Sequence, residues 1–132
     1  MFCFETKQPK SVNNIRFIPV NKTLFNNSFI HCTGLITGGG FETPAEAIHL
    51  GKKLMTIPIR GQYEQQCNAA ALTQLGIKKL ASIDNGFGDH LYAWMNSKKV
   101  IQMDYSNSIG DSLAYVFANI PVRENIETYM IE

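Results

Sequence analysis

Apolar positions along the chain fall into short runs, separated by glycine, proline and polar clusters, and the runs alternate between strand-like and helix-like spacing. Residues 1–5, MFCFE, read as a short apolar strand, and residues 6–14, polar with Pro9 among them, as a loop. Residues 15–20, IRFIPV, form a second strand stopped by Pro19, because proline has no N–H for a sheet ladder. Asn21 then caps a helix over residues 22–31, in which Leu24, Phe25, Ser28 and Phe29 share one face at helical spacing. Residues 34–37, GLIT, are a third strand that runs straight into Gly38, Gly39 and Gly40.

The segment after the glycines, ETPAEAIHLG, carries start and stop signals: Thr43 as N-cap, Pro44 at the first helical position, Glu46 three residues after the cap, and Gly51 as the stop. Residues 53–59, KLMTIPI, read as a buried strand, residues 60–63 as a loop, and residues 64–75, EQQCNAAALTQL, as a helix ended by Gly76. Strand, helix, strand, helix is the alternation of an α/β fold, a Rossmann-like parallel sheet with helices on both faces. Beyond it, residues 78–83 suit an edge strand, Asn85 and Gly86 a turn, and residues 89–95 and 111–120 two helices. The second of these turns Leu113, Val116, Phe117 and Ile120 toward a core or toward another domain. One domain over residues 1–120 and a polar tail over residues 121–132 is the expected organisation.

Composition narrows the class. With 132 residues, 45% of them hydrophobic, the chain can bury a core without a disulfide or a metal. Net charge is +1 and the basic residues are scattered along the sequence, which removes the electrostatic footprint of a duplex-binding protein and with it nucleic acid as a partner. Cys3, Cys32 and Cys67 are far apart and in no Cys-x-x-Cys pair, as expected of free buried thiols in a reducing compartment. Residues 1–10 lack a basic start followed by a long apolar run, and the sequence has no apolar stretch of spanning length, so the cytoplasm is expected.

A strand that ends in three glycines and opens a helix sets bare main-chain N–H groups at the positive end of the helix dipole, a place suited to phosphate. The same glycines also serve a plain tight turn, and taken alone the two readings weigh equally. Spacing excludes two nucleotide motifs: the dinucleotide pattern needs glycine at position 43, which is Thr43, and Gly51-Lys52-Lys53 lacks both the upstream glycine and the Ser/Thr of a P-loop.

Residues 37–68, TGGGFETPAEAIHLGKKLMTIPIRGQYEQQCN, resemble the donor-binding signature of GT-B glycosyltransferases, with Gly40, Thr43, Glu46, Gly51, Pro58, Glu64, Gln65, Asn68 and Ala69 at the family's positions. The likeness extends to the bacterial N-acetylglucosaminyltransferase of peptidoglycan synthesis and to UDP-glycosyltransferases, and it covers residues 1–80, fading after Ile83. The resemblance implies a nucleotide-sugar substrate, a UDP-sugar by family habit, and no cofactor or metal. It implies that Gly39, Gly40 and the Thr43 hydroxyl bind the diphosphate and that Glu46 accepts hydrogen bonds from the ribose hydroxyls. Gln65, with Glu64 or Gln66, would hold the transferred sugar, and the main chain at Phe17 and Ile18 the base. Each has a rival: a capping box accounts for Glu46, solvent-facing helix positions account for Gln65 and Gln66, Asn68 could simply fasten loop to helix, and Phe41 and Tyr63 suit packing.

One departure from the family is Gly38, where many members carry His or Arg, which leaves phosphate binding to the main chain and Arg60. In that family the general base and acceptor site belong to an N-terminal domain, so the resemblance implies a partner domain or subunit, an isolated chain that is inactive, and an enzyme working at the inner face of the membrane. His31, His49 and His90 are isolated and unsuited as the base. A donor domain without its first strand and helix would also expose a sheet edge, through which self-association is expected. Two other functions remain open at this point, a non-catalytic nucleotide-binding or interaction module and a nucleotide-sugar epimerase.

Overall fold

The computed structural model describes residues 2–3 and 6–120. Met1, Phe4, Glu5 and the tail over 121–132 lie outside the described residues. Strands β1 (Phe2–Cys3), β2 (Lys10–Val12) and β3 (Ile15–Pro19) form one sheet in the order β1-β3-β2, with β1 parallel and β2 antiparallel to β3. Helix α1 (Lys22–His31) leads to β4 (Gly34–Thr37), followed by α2 (Glu42–His49), β5 (Lys53–Thr56), α3 (Tyr63–Gln74) and β6 (Lys78–Lys79). These strands make a second, fully parallel sheet in the order β4-β5-β6, in register Leu35 to Leu54 and Met55 to Lys78. Helices α4 (Phe87–Asn96) and α5 (Ser108–Asn119) complete the described chain.

The α/β reading holds, and the strands divide between two sheets. β4 pairs with β5 alone, so one of its edges has no strand partner among the described residues. The expected loop over residues 6–14 contains β2, because Asn13 takes φ 52° and closes a two-residue hairpin between Val12 and Ile15. Asn21 does cap α1, its Oδ1 accepting the Leu24 N–H at 2.9 Å. Two helix ends follow the sequence signals closely: Gly51 (φ 62°) and Gly76 (φ 88°) are the left-handed residues of paired-bond caps. In the first, Gly51 N–H bonds to Ile48 O and Lys52 N–H to Ala47 O; in the second, Gly76 N–H bonds to Thr73 O and Ile77 N–H to Leu72 O. β5 stops at Thr56, short of the expected residue 59, since Pro58 cannot donate to a ladder. β6 has only two residues.

The core gathers Phe29 of α1, Ala47 and Ile48 of α2, Leu54 of β5 and Ile77, with Leu35, Leu72, Ile101 and Met103 packed against it. Each large apolar side chain buried here contributes about 1.5–3 kcal/mol relative to exposure. Side chains alternate along β5, so Leu54 points to the side of α2 and Lys53 to the opposite side, where Trp94 of α4 covers Gly34. Helices thus cover both faces of this sheet. A Cβ on Gly34 would sit 2.8 Å from the Trp94 ring, and the indole Nε1 donates to Leu54 O at 3.2 Å, which locks α4 in place.

One further expectation is narrowed and one is corrected. α5 has no buried residue, with Phe117 at 76% exposure, so of the two destinations expected for its apolar side chains a core is excluded among the described residues. Cys67 is exposed and Cys32 half-buried, its thiol donating to Phe29 O at 3.2 Å, so neither is fully buried. The Cys3 side chain lies outside the described residues.

Candidate functional site

β4 delivers the chain into Gly38, Gly39 and Gly40, and α2 opens at Glu42 after Phe41 as N-cap, with no side-chain cap hydrogen bond. This corrects the expected helix start. Thr43 is a residue of the first turn rather than the cap, Pro44 stands third in the helix, and Glu46 is four residues past Glu42. The capping box, which needs Thr43 as the cap, is therefore absent, and with it the structural rival for Glu46. The first bond of the helix is Ala45 N–H to Phe41 O at 3.2 Å, and Pro44 has no N–H. The N–H groups of Glu42 and Thr43 precede that bond and open α2 as uncapped donors.

Gly39, at φ 87°, takes a left-handed conformation that favours glycine, and it is buried. A Cβ there would lie 3.3 Å from the Gln65 main-chain oxygen and 3.6 Å from the Ala69 Cβ, so α3 packs directly on the turn. At Gly38 a Cβ would meet Gln65 Oε1 at 2.8 Å, whereas at Gly40 it would meet nothing within 4 Å. The third glycine is thus unconstrained by the protein and opens the main chain to the outside.

Gln65 acts as a fastener, since its Oε1 accepts the Ile59 N–H at 3.0 Å and so ties the loop after β5 to α3 beside the glycine turn. Its amide nitrogen stays available. Gln66 is half-buried and Glu64 exposed, and successive helix positions lie about 100° apart, so the three side chains leave α3 in different directions. Thr43 and Glu46 are three apart and neighbours on α2, on the flank of the buried stripe of Pro44, Ala47 and Ile48. Glu46 borders a hollow of about 280 Å³ together with His49 and Tyr105, whose rings stack at 6.2 Å. Tyr105 N–H donates to His49 Nδ1 at 3.2 Å, which places the neutral ring's proton on Nε2. The Asp104 carboxylate, 3.7 Å from the same Nδ1, is an ion-pair partner only for the protonated ring, so the two contacts belong to different protonation states.

Phe17 and Ile18 are half-buried on β3, in the other sheet. β3 is the middle strand there, facing β1 through Ile18 and Pro19 and β2 through Ile15, Arg16 and Phe17. Among the described residues, β3 thus has no strand partner on its β2 side beyond Phe17.

Two buried polar atoms near the turn lack partners, and sequence reading gave no reason to single out the first. Thr56 is fully buried at the end of β5, its Cβ 3.9 Å from the Cβ position of Gly39, and its Oγ1 has no hydrogen bond. Asn68 Nδ2, on α3, is likewise buried and unpaired, so that amide nitrogen fastens no loop. Unpaired buried polar atoms are rare enough in folded proteins to mark a place where a water or a ligand belongs. Glu42 opposes an anion here: it is exposed in the first turn of α2 and sets a carboxylate beside the same donors. Among the described residues no three His, Cys, Asp or Glu side chains form a group able to hold a metal. No helix among them is long and apolar enough to cross a membrane.

Comparison with known proteins agrees with this geometry. The family model described as glycosyl transferase family 1 matches residues 4–93, which take in every strand but β1, the glycine turn, α1, α2, α3 and most of α4. No curated protein and no solved structure matches the chain. The matched segment covers more than half of the chain and includes every residue of the turn, and the chain belongs to glycosyl transferase family 1, the GT-B glycosyltransferases, with sugar transfer as its chemistry.

Proposed function

We propose that this chain binds a nucleotide sugar, with UDP as the nucleotide, and forms the donor side of a sugar transfer akin to that of the peptidoglycan N-acetylglucosaminyltransferase and the UDP-glycosyltransferases. The uncapped start of α2 behind Gly38, Gly39 and Gly40 is the observation that carries this reading. Main-chain N–H groups there, with the Thr43 hydroxyl, take the diphosphate, and the helix dipole stabilises the negative charge that grows on it as the sugar leaves. Glu46, free of a capping role, accepts from the ribose hydroxyls. The Gln65 amide nitrogen, with Gln66 or Glu64, donates to or accepts from the sugar, while the end of β3 after Phe17 and Ile18 meets the base.

Acceptor activation needs a base placed against the acceptor hydroxyl. In this reading it comes from a second domain or subunit, and the chain alone binds donor without turnover. A binding module that had lost catalysis would share the diphosphate site and would tolerate loss of Gln65 and Gln66; a transferase would lose its discrimination between sugars.

Calorimetric titration with UDP, UDP-N-acetylglucosamine and GDP, on the native chain and on Glu46→Ala, tests the proposal. A charge-assisted hydrogen bond contributes about 1.5–3 kcal/mol, so Glu46→Ala should weaken UDP binding by roughly tenfold or more. Equal binding of UDP by both chains would remove Glu46 from the site. Absence of binding by any of the three nucleotides would refute a donor site in this chain.

A further inference from the structure

A cavity of about 760 Å³, the larger of two hollows described here, lies at the far end of α3 from the glycine turn. None of the residues assigned above to the diphosphate, ribose or sugar lines it. Its apolar floor is made by Ile48, Leu54, Ile77 and Ile101, the same side chains that close the core. Trp94 stands in its wall, held by its bond to Leu54 O.

The charge of the lining is one-sided. Lys52, Lys78, Lys79 and Lys99 all border the cavity, together with His90, and no Asp or Glu does. None of the four lysines has a carboxylate within 4.0 Å among the described residues. One of the ammonium groups is held in place, Lys52 Nζ donating to Ile30 O at 2.6 Å, while Lys99 Nζ lies over Gly76, 2.5 Å from where a Cβ would be. The simplest account is that these lysines offset the negative ends of α2 and α3, which both terminate here. Two helix C-termini amount to about one negative elementary charge in total, which leaves most of four positive charges unanswered.

We propose that this cavity is a second ligand site, which takes an amphipathic anion: a phosphate or diphosphate ester carried on an apolar body. The apolar part would lie on the Ile48, Leu54, Ile77 and Ile101 floor against the Trp94 ring, and the anion would bridge the lysine rim. Close lysine–phosphate contacts desolvate little because the rim is open, so their attraction is sensitive to salt. The same chemistry is offered by a soluble organic phosphate and by a lipid headgroup.

Trp94 is the chain's single tryptophan, so its emission reports on this cavity alone. The full chain is titrated with dodecyl phosphate below its micelle concentration, at low and high salt, with dodecyl maltoside as the uncharged counterpart. A saturable change in Trp94 emission is expected with dodecyl phosphate, about tenfold weaker in the Lys78→Gln/Lys99→Gln double variant and at high salt. Both substitutions are at side chains outside the core, and a far-ultraviolet circular dichroism spectrum checks that the double variant is folded. UDP should leave the response unchanged, since the glycine turn is at the opposite end of α3. Co-sedimentation with phosphatidylcholine vesicles, with and without phosphatidic acid, separates the sources. Binding only to the acidic vesicles makes the natural anion a lipid headgroup, and a response to dodecyl phosphate without vesicle binding makes it a soluble ester. No response in either arm, an equal response to dodecyl maltoside, or an unchanged response in the double variant would each overturn the proposal.

Discussion

Three consecutive glycines offer a direct test, because alanine meets a different neighbour at each. At Gly39 the backbone is left-handed (φ 87°) and the new Cβ would press on the Gln65 main-chain oxygen at 3.3 Å, a neighbour fixed in α3. The left-handed conformation costs an alanine about 1–2 kcal/mol, and the contact adds to it, so Gly39→Ala should destabilise by about 2 kcal/mol. At Gly38 the obstacle is Gln65 Oε1 at 2.8 Å, the end of a flexible side chain. Moving it sacrifices the Ile59 N–H bond, worth about 1 kcal/mol, and part of that is recovered because alanine restricts the unfolded chain. At Gly40 nothing lies within 4 Å and the backbone is not left-handed, so alanine should stabilise by about 0.4–1 kcal/mol.

Urea unfolding of the three variants should therefore rank them Gly40→Ala most stable, Gly38→Ala next and Gly39→Ala least. Ligand binding should break that order. If the diphosphate approaches the main chain through the space at Gly40, a methyl group there should weaken UDP binding by about tenfold while the fold gains stability. Opposite signs for stability and affinity at one position are hard to obtain from general damage. Should Gly40→Ala keep full UDP affinity, close approach of phosphate to this turn is refuted. Should it destabilise by as much as Gly39→Ala, the packing argument itself is wrong.

The exposed Glu42 carboxylate in the first turn of α2 should repel the diphosphate, so Glu42→Gln is expected to tighten UDP binding severalfold at low salt, and calorimetry showing no change would place the phosphates away from the helix start. Asp104 accepts from the Ser106 hydroxyl at 2.5 Å and from its N–H at 2.9 Å; these bonds, the hydroxyl first, hold its carboxyl below the usual value, with His49 adding a smaller effect. A depressed folded pKa gives stability that is present above the ordinary carboxylate range and is lost as pH falls through the folded value, so Ser106→Ala should raise the Asp104 titration midpoint in carbon NMR and flatten the acid limb of stability; an unmoved midpoint would refute the cause. β4 has one edge without a strand partner among the described residues and carries the exposed Ile36, so sedimentation at rising concentration should show self-association that Ile36→Lys reduces, and a monomer throughout would remove that edge as an interface.

How far the sequence could be read depended on whether a signal was local. α1 and β4 fall where the pattern puts them, since Asn21 and its Leu24 bond are three residues apart and Gly34–Thr37 is bounded by the glycines. The start of α2 departs from the pattern for an equally physical reason. Proline is tolerated through the first helical turn because the N–H it lacks has no partner there, so Pro44 marks the turn without fixing its first residue. That shift of two residues removes the capping box and leaves Glu46 without a structural duty, which strengthens the case for the site. β2 is hidden in the sequence because its residues Lys10–Val12 carry no apolar run and depend on Asn13 adopting a left-handed conformation.

Other features arise only when distant segments meet. Gln65 is legible as a polar residue on a helix, but its bond to the Ile59 N–H follows from the path of the loop after Pro58. Thr56 reads as one more residue of a strand until the packing of α3 on Gly39 leaves its hydroxyl without a partner. The lysines make the same point most strongly. Along the chain Lys52, Lys78, Lys79 and Lys99 are scattered charges that argue only against a duplex nucleic acid, whereas the fold brings all four to one cavity with no acid in its lining. Net charge near neutrality excludes a polyanion that would engage the whole surface, and it places no such limit on a small anion that needs only one end of one helix layer.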